Sequence, residues 1–200
     1  MKLILASASP RRAEILRNAG FVFEVRPAHA DEMALPHEPA AAYVQRVAAA
    51  KAHAAAKSRY GETDCAIVIG ADTVVVVDGR TLGKPAHADD ARRMLRLLSG
   101  RDHDVLTGLS FLAMPEGTET THVESTRVSF LPLSDEDIER YVLSGEPFDK
   151  AGAYGIQGLG GRFVSRIEGC YFNVMGLPIS RVWSILGRLE REEKKNTAAT

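Results

Sequence analysis

The sequence predicts an α/β fold built on a mixed sheet, and two features carry that prediction. Early in the chain, short apolar runs alternate with helical patterns, as in strand–helix units. Later, residues 103–113 and 121–131 are β-rich runs joined by the turn MPEGTE, which reads as a hairpin and makes the sheet mixed. With 200 residues, 45% of them apolar, the chain is long enough for one sizeable core and reads as a single domain over residues 1–190. Residues 191–200, beginning REEKK, read as a charged, disordered tail.

The elements follow in order. Lys2 to Ala6 is a short buried strand. Pro10 suits a first helical position, Ser9 suits the N-cap, and Gly20 closes the helix. FVFEV (21–25) reads as a second strand, and an Ala-rich helix is expected from about Glu38 to Ser58. In CAIVIGADTVVVVDGRTLGKP, two β-branched runs flank Gly-Ala-Asp, and Asp78-Gly79 signals a tight turn. His87 to Leu98 forms an amphipathic helix stopped by Ser99-Gly100. Ser134 with Asp137 three residues on starts another helix. A Gly-rich stretch, DKAGAYGIQGLGG, precedes the strand RFVSRIEG, and the last helix starts near Leu177.

Charge and cysteine content narrow the function classes. A net charge of −1 gives no global attraction to nucleic acid or anionic membrane, so any anion site is local. No basic stripe with interleaved aromatics marks a nucleic-acid surface, and no apolar run approaches the ~18 residues of a membrane span. Cys65 and Cys170 match no zinc or CxxC spacing and read as reduced apolar fillers in a cytoplasmic chain.

The stretch SASPRR poses a problem of charge. A helix N-terminus is already positive, yet Arg11 and Arg12 sit in its first turn. The turn's free N–H groups, with the Ser7 and Ser9 hydroxyls, suit an anion that the arginines would clamp. Two solvated arginines are the competing reading. Asp72, isolated between apolar runs, is costly there unless paired or ligating a metal, and is read as a functional carboxylate at a strand end. It suits Mg²⁺ binding, water activation, or both; a turn-forming Asp is the alternative. Lys51, Lys84 and Lys150, together with the two arginines, could neutralise a triphosphate. Asp31 and Glu32 are further candidate metal ligands. Gln157 carries an amide suited to a base edge, and Tyr154 either stacks on that base or is buried. The glycines match neither GxxxxGK[ST] nor a strand-anchored GxGxxG, and no HExxH or GxSxG is present.

The ordered set SASPRR, GADTVV, LGKP, SGRDHDVLTG, EPFDKAGAYGIQG and NVMGLP resembles the Maf family, over about residues 3 to 180. The resemblance implies a house-cleaning nucleoside triphosphate pyrophosphatase that cleaves between the α- and β-phosphates with Mg²⁺ or Mn²⁺. It implies an elongated mixed sheet flanked by helices around a central cleft, of the inosine triphosphatase type. It also suggests a homodimer. Arg11, Thr73 and Gln157 together look like the dTTP/UTP pyrophosphatase subgroup, in which Gln157 and Thr73 would read the pyrimidine. Gly83 stands where some of that subgroup carry Glu. Asp72 matches the family's proposed general base. Ser7, Arg12, Glu32, Lys51 and Lys84 match positions associated with phosphate or metal binding; Glu32 and Asp72 would hold the metal, and Arg12 and Lys84 would clamp the outer oxygens. The sister activity on 7-methyl-GTP and a nucleotide-sensing role in septum formation are the alternatives.

Overall fold

In the computed structural model, which describes residues 2–57 and 65–198, the described residues contain seven strands in one mixed sheet. They are β1 (Lys2–Ala6), β2 (Glu24–Val25), β3 (Ala66–Val77), β4 (Arg80–Leu82), β5 (Asp102–Met114), β6 (Thr118–Phe130) and β7 (Val164–Glu168). The order is β2-β1-β3-β5-β6-β7, with β4 paired to β3. Only the β1–β2 and β1–β3 pairs are parallel. The α-helices among the described residues are α1 (Pro10–Asn18), α2 (Ala40–Lys57), α3 (Ala88–Leu98), α4 (Asp135–Leu143), α5 (Tyr171–Val174) and α6 (Ile179–Ala198).

Local chemistry explains most boundaries. Pro10 opens α1, and Gly20 at φ +82° follows its end. Asp78 and Gly79, both at positive φ, form the two-residue turn joining β3 to β4, with Val77 opposite Arg80. Ser134 and Asp137 make a complete capping box at α4, and His87 caps α3 by accepting from the Asp90 N–H.

Four expectations change. The second strand shrinks to Glu24–Val25, because β1 offers only Ile4 and Leu5 as partners there. α2 starts at Ala40, since the Glu38 carboxylate is tied to Arg46 and to the Leu35 N–H ahead of the helix. The expected end of α2 at Ser58 lies outside the described residues. Helix α6 continues through residues 191–198, where the sequence suggested a loose tail. Cys65 is exposed rather than a core filler; both cysteines are free.

The two sheet faces build different layers. Even-numbered residues of β3 (Ala66, Val68), with Ile4, Ala6 and Leu112, pack against Ala52, Ala55 and Ala56 of α2. Odd-numbered residues (Ile67, Ile69, Ala71), with Leu5, Leu109 and Phe111, pack against α1 and α6. Farther along that face, Val75, Val77, Val105, Val128 and Phe130 meet α3 and α4. Between these two cores lies a polar belt. The Thr73 and Thr107 hydroxyls are 2.9 Å apart, and the Asn173 amide donates to the Val105 carbonyl at 2.9 Å and to Thr126 Oγ1 at 3.0 Å.

Helix α2 lies unusually close to the sheet. A Cβ on Gly70 would sit 2.0 Å from the Ala48 carbonyl oxygen, and one on Gly108 would sit 2.2 Å from that of Val44. Since the obstacles are helix backbone, Gly108→Ala must push α2 outward. The expected loss of stability is about 3 kcal/mol, read as a lowered denaturation midpoint.

His103 is buried beside Phe130, with Nε2 2.9 Å from the Tyr154 hydroxyl. Burial pushes its pKa down from 6.5 to about 4, against the opposing pull of Asp104 and Asp102. Between those values the unfolded chain binds more protons than the folded one. Stability from this group is full above pH 6.5 and is lost as pH falls toward 4, by up to about 3 kcal/mol. His103→Gln should flatten the dependence of unfolding free energy on pH across that window, measured by denaturant titration at several pH values.

Candidate active site

The end of β1 creates the site. β1 stops at Ala6, opposite Gly70, while β3 runs on beside β5 past Asp72, which pairs with Gly108. Asp72 is therefore mid-strand, not at a strand end as the Gly-Ala-Asp interruption suggested, because β5 supplies a partner along the whole run. The vacated space next to it is filled by the turn 7–9 and the N-terminus of α1. A cleft of about 470 Å³ opens here, lined by Ser7, Arg11, Arg12, Glu32, Lys51, Asp72, Thr73, Lys84 and Gln157. The structure thus brings every one of these sequence-predicted residues to one place. Lys150 lines the cleft too; Asp31 does not, and its carboxylate accepts from the Met33 N–H instead.

Strand alternation sorts the side chains. Asp72, an even position, faces α2, where Lys51 Nζ donates to its Oδ1 at 2.7 Å. The same ammonium lies 2.8 Å from Glu32 Oε1, so one lysine bridges the two carboxylates. Burial raises the Glu32 pKa, but the hydrogen bond and charge of Lys51, with Lys84 and Arg12, outweigh it and hold the group below its ordinary value. Asp72 Oδ2 accepts no hydrogen bond from any described residue.

Thr73, an odd position, faces α1. Arg12 is buried there, and its Nη2 donates to Thr73 Oγ1 at 3.0 Å. Its Nε donates to the Gly176 carbonyl at 2.8 Å; Nη1 donates to the Ala71 carbonyl at 2.9 Å and to Ser7 Oγ at 3.1 Å. Of five N–H donors, one on Nη2 remains. Arg12 was expected to clamp phosphate, yet the fold occupies most of its fork. Burial lowers its pKa, and Asp72 partly restores it. Thr73 was expected to read a base, yet its hydroxyl is held by Arg12 and Thr107.

Arg11 projects into the cleft and pairs with Asp149; it donates from Nη2 to the Asp149 carbonyl at 3.1 Å. Lys150 Nζ donates to Asp149 Oδ1 at 2.6 Å. Asp149 therefore gathers two cations, and its pKa is lowered by them against the opposing effect of burial. Sequence reasoning missed Asp149, although it stands directly before Lys150. It also missed Tyr43, whose hydroxyl donates to the Glu32 carbonyl at 2.9 Å and so fixes the Glu32 loop to α2. Lys84 and Gln157 are both exposed where they line the cleft. Tyr154 is buried against His103, the packing alternative of the two offered for it.

A divalent cation would find two carboxylates here, those of Asp72 and Glu32. No group of three or more His, Cys, Asp or Glu among the described residues is arranged to hold one. Two carboxylates that already share one positive charge fit the way Mg²⁺ binds beside nucleotides, through one or two carboxylates and the substrate's own phosphate oxygens. No helix among the described residues is long and apolar enough to cross a membrane.

Comparisons with known proteins place the chain among relatives. A dTTP/UTP pyrophosphatase of Koribacter versatilis (strain Ellin345) is 51% identical over 188 residues, covering 94% of each chain. One of Moorella thermoacetica is 51% identical over 185 residues, covering 92% of this chain and 93% of its own. One of Carboxydothermus hydrogenoformans is 46% identical over 183 residues, covering 92% and 96%. The Staphylococcus aureus Ham1 structure aligns over 65% of this chain and 72% of its own at 13% identity and a TM-score of 0.43, too slight a likeness to build on. Residues 2–189 match the family described as Maf-like protein, and the chain belongs to the Maf family.

Proposed function

We propose that this chain hydrolyses dTTP and UTP between the α- and β-phosphates, releasing the nucleoside monophosphate and pyrophosphate. The relatives bearing that activity in their names are about half identical over nearly the whole chain. The observation that carries the reading is the charge layout of the cleft. A Lys51-bridged pair, Asp72 and Glu32, shares one cavity with Arg11, Lys84 and Lys150. Triphosphate answers the puzzle of basic residues at a positive helix end, since it brings the missing negative charge.

The residues divide the work. The free N–H groups at the start of α1, with Arg11, Lys84 and Lys150, hold the phosphate oxygens and stabilise charge on the departing pyrophosphate. Asp72, fixed through Oδ1 by Lys51, uses Oδ2 to take a proton from the attacking water. The water oxygen bonds to the α-phosphorus as the bond to the bridging β-oxygen breaks. Glu32 and Asp72 would hold a divalent cation, Mg²⁺ or Mn²⁺, which when bound supplies Lewis-acid polarisation of phosphoryl oxygens. Arg12 and Thr73 act one layer back by shaping the turn and the floor. Gln157 meets the pyrimidine edge with its amide. Two free cysteines suit a reducing, cytoplasmic setting.

A nucleotide panel with product identification, run with Mg²⁺, with Mn²⁺ and with EDTA, tests this reading. Monophosphate and pyrophosphate should form from dTTP and UTP, and chelation should stop the reaction. Release of orthophosphate, or a preference for 7-methyl-GTP, would overturn it. Asp72→Asn should lower kcat by about a thousandfold while the thermal midpoint stays close to that of the parent protein. A kcat within threefold of the parent would rule out Asp72 as the base.

A further inference from the structure

The Gly-rich loop that presents Gln157 is wrapped around one carboxylate. Glu146 Oε2 accepts from the Leu159 N–H at 2.8 Å, and its Oε1 accepts from the Gly160 N–H at 3.1 Å. Tyr141, fully buried on α4, donates its hydroxyl to Glu146 Oε1 at 2.8 Å and accepts from the Gly155 N–H at 3.0 Å. The loop is thus held at both shoulders, at Gly155 before Gln157 and at Leu159–Gly160 after it. The glycine pattern follows from this wrapping. A Cβ on Gly158 would lie 2.5 Å from Glu146 Oε2, and one on Gly160 would lie 2.7 Å from the Tyr141 hydroxyl. The N–H groups point at a protein carboxylate rather than outward at a phosphate.

Charge is balanced here as well. Burial raises the Glu146 pKa, but the two N–H groups, the Tyr141 hydroxyl and Lys150 hold it below its ordinary value. Lys150 also donates to the Glu146 carbonyl at 2.6 Å while it pairs with Asp149. The segment 146–160 is therefore one hydrogen-bonded body, with Gln157 on its cleft side and Lys150 at its base. Its lower part is tied to the rest of the chain by the Gly152 N–H, which donates to the Gly83 carbonyl at 3.0 Å, and by Arg11 on Asp149; around Gln157 the Glu146 carboxylate does the holding.

We infer that Glu146 and Tyr141 are specificity-positioning residues: they form a clasp that sets where the Gln157 amide stands in the cleft, and so govern base discrimination without touching the nucleotide. The inference rests on the reading of Gln157 as the base-edge residue.

The test compares kcat/KM for dTTP and dATP in the full-length protein with Mg²⁺, for Gln157→Ala, Tyr141→Phe, Glu146→Gln and the Gln157→Ala/Tyr141→Phe double variant. Tyr141→Phe keeps the ring packed on Phe163 and removes only the hydroxyl. Gln157→Ala should lower the dTTP-to-dATP ratio by about tenfold, the scale of one lost pair of amide bonds to a base edge. Tyr141→Phe should lower it several-fold, mainly through a higher KM for dTTP, and the double variant should be no worse than Gln157→Ala alone. A residue that merely supports the fold would reduce both nucleotides alike and add to the Gln157 effect; that outcome overturns the clasp. Glu146→Gln, which leaves one N–H facing an amide nitrogen, gives the same readout if Tyr141→Phe does not fold. If Gln157→Ala leaves the ratio unchanged, the base-edge reading itself fails and the clasp falls with it. If Gln157→Ala lowers the ratio but Tyr141→Phe and Glu146→Gln do not, only the clasp is overturned.

Discussion

The buried guanidinium of Arg12 donates to the carbonyls of Gly176 and Ala71 and to the hydroxyls of Ser7 and Thr73. It ties together four stretches of chain: the turn after β1, the start of α1, the middle of β3 and the turn after α5. A buried cation is tolerable only when most of its donors are paired, as four of five are here, and with a counter-charge nearby, here Asp72. The demand runs both ways. Arg12 needs the surrounding acceptors, and they take from it the spacing that makes a cleft beside Asp72. The first-turn arginines that looked like a matched pair are therefore two different things. Arg12 looks inward and builds; Arg11 looks outward, where Asp149 partners it.

How much could be read from sequence depended on how local the governing physics is. Turns, caps and strand runs were legible because their causes lie within a few residues: Pro10 at a helix start, Asp78-Gly79 at a reversal, Ser134 with Asp137 at a cap. Asp72 was legible as chemistry because nothing apolar around it excuses a carboxylate. Its place within the strand was not, since that depends on β5 running beside it from thirty-odd residues away in sequence. The same distance problem hid the duties of Arg12 and Thr73. Thr73 finds Thr107 across the sheet, and Arg12 finds Gly176 at a separation of 164 residues. The glycines after Tyr154 were visible as a pattern, but their reason was not, because Glu146 reads as an ordinary surface acid until the loop is folded over it.

Charge is distributed in the cleft so that no acid stands alone against another. Lys51 sits between Glu32 and Asp72, and Asp149 sits between Arg11 and Lys150. Each unit carries one more charge of one sign than of the other, and the two units are opposite in sign. The first prefers a cation and the second an anion. On the proposed function, a nucleotide arriving with its divalent ion would offer both, and the layout would favour the pair over either partner alone.

The belt of Thr73, Thr107, Asn173 and Thr126 crosses the sheet face between two oily regions. Packed apolar layers resist gradual sliding, and a row of directional bonds between them adds contacts that have to break together before anything shifts. The floor of the cavity consequently behaves as a fixed gauge, not as a jaw. On the proposed function, sizing of the guest falls to the peripheral loops, while the bonded base sets the distance from phosphorus to acid.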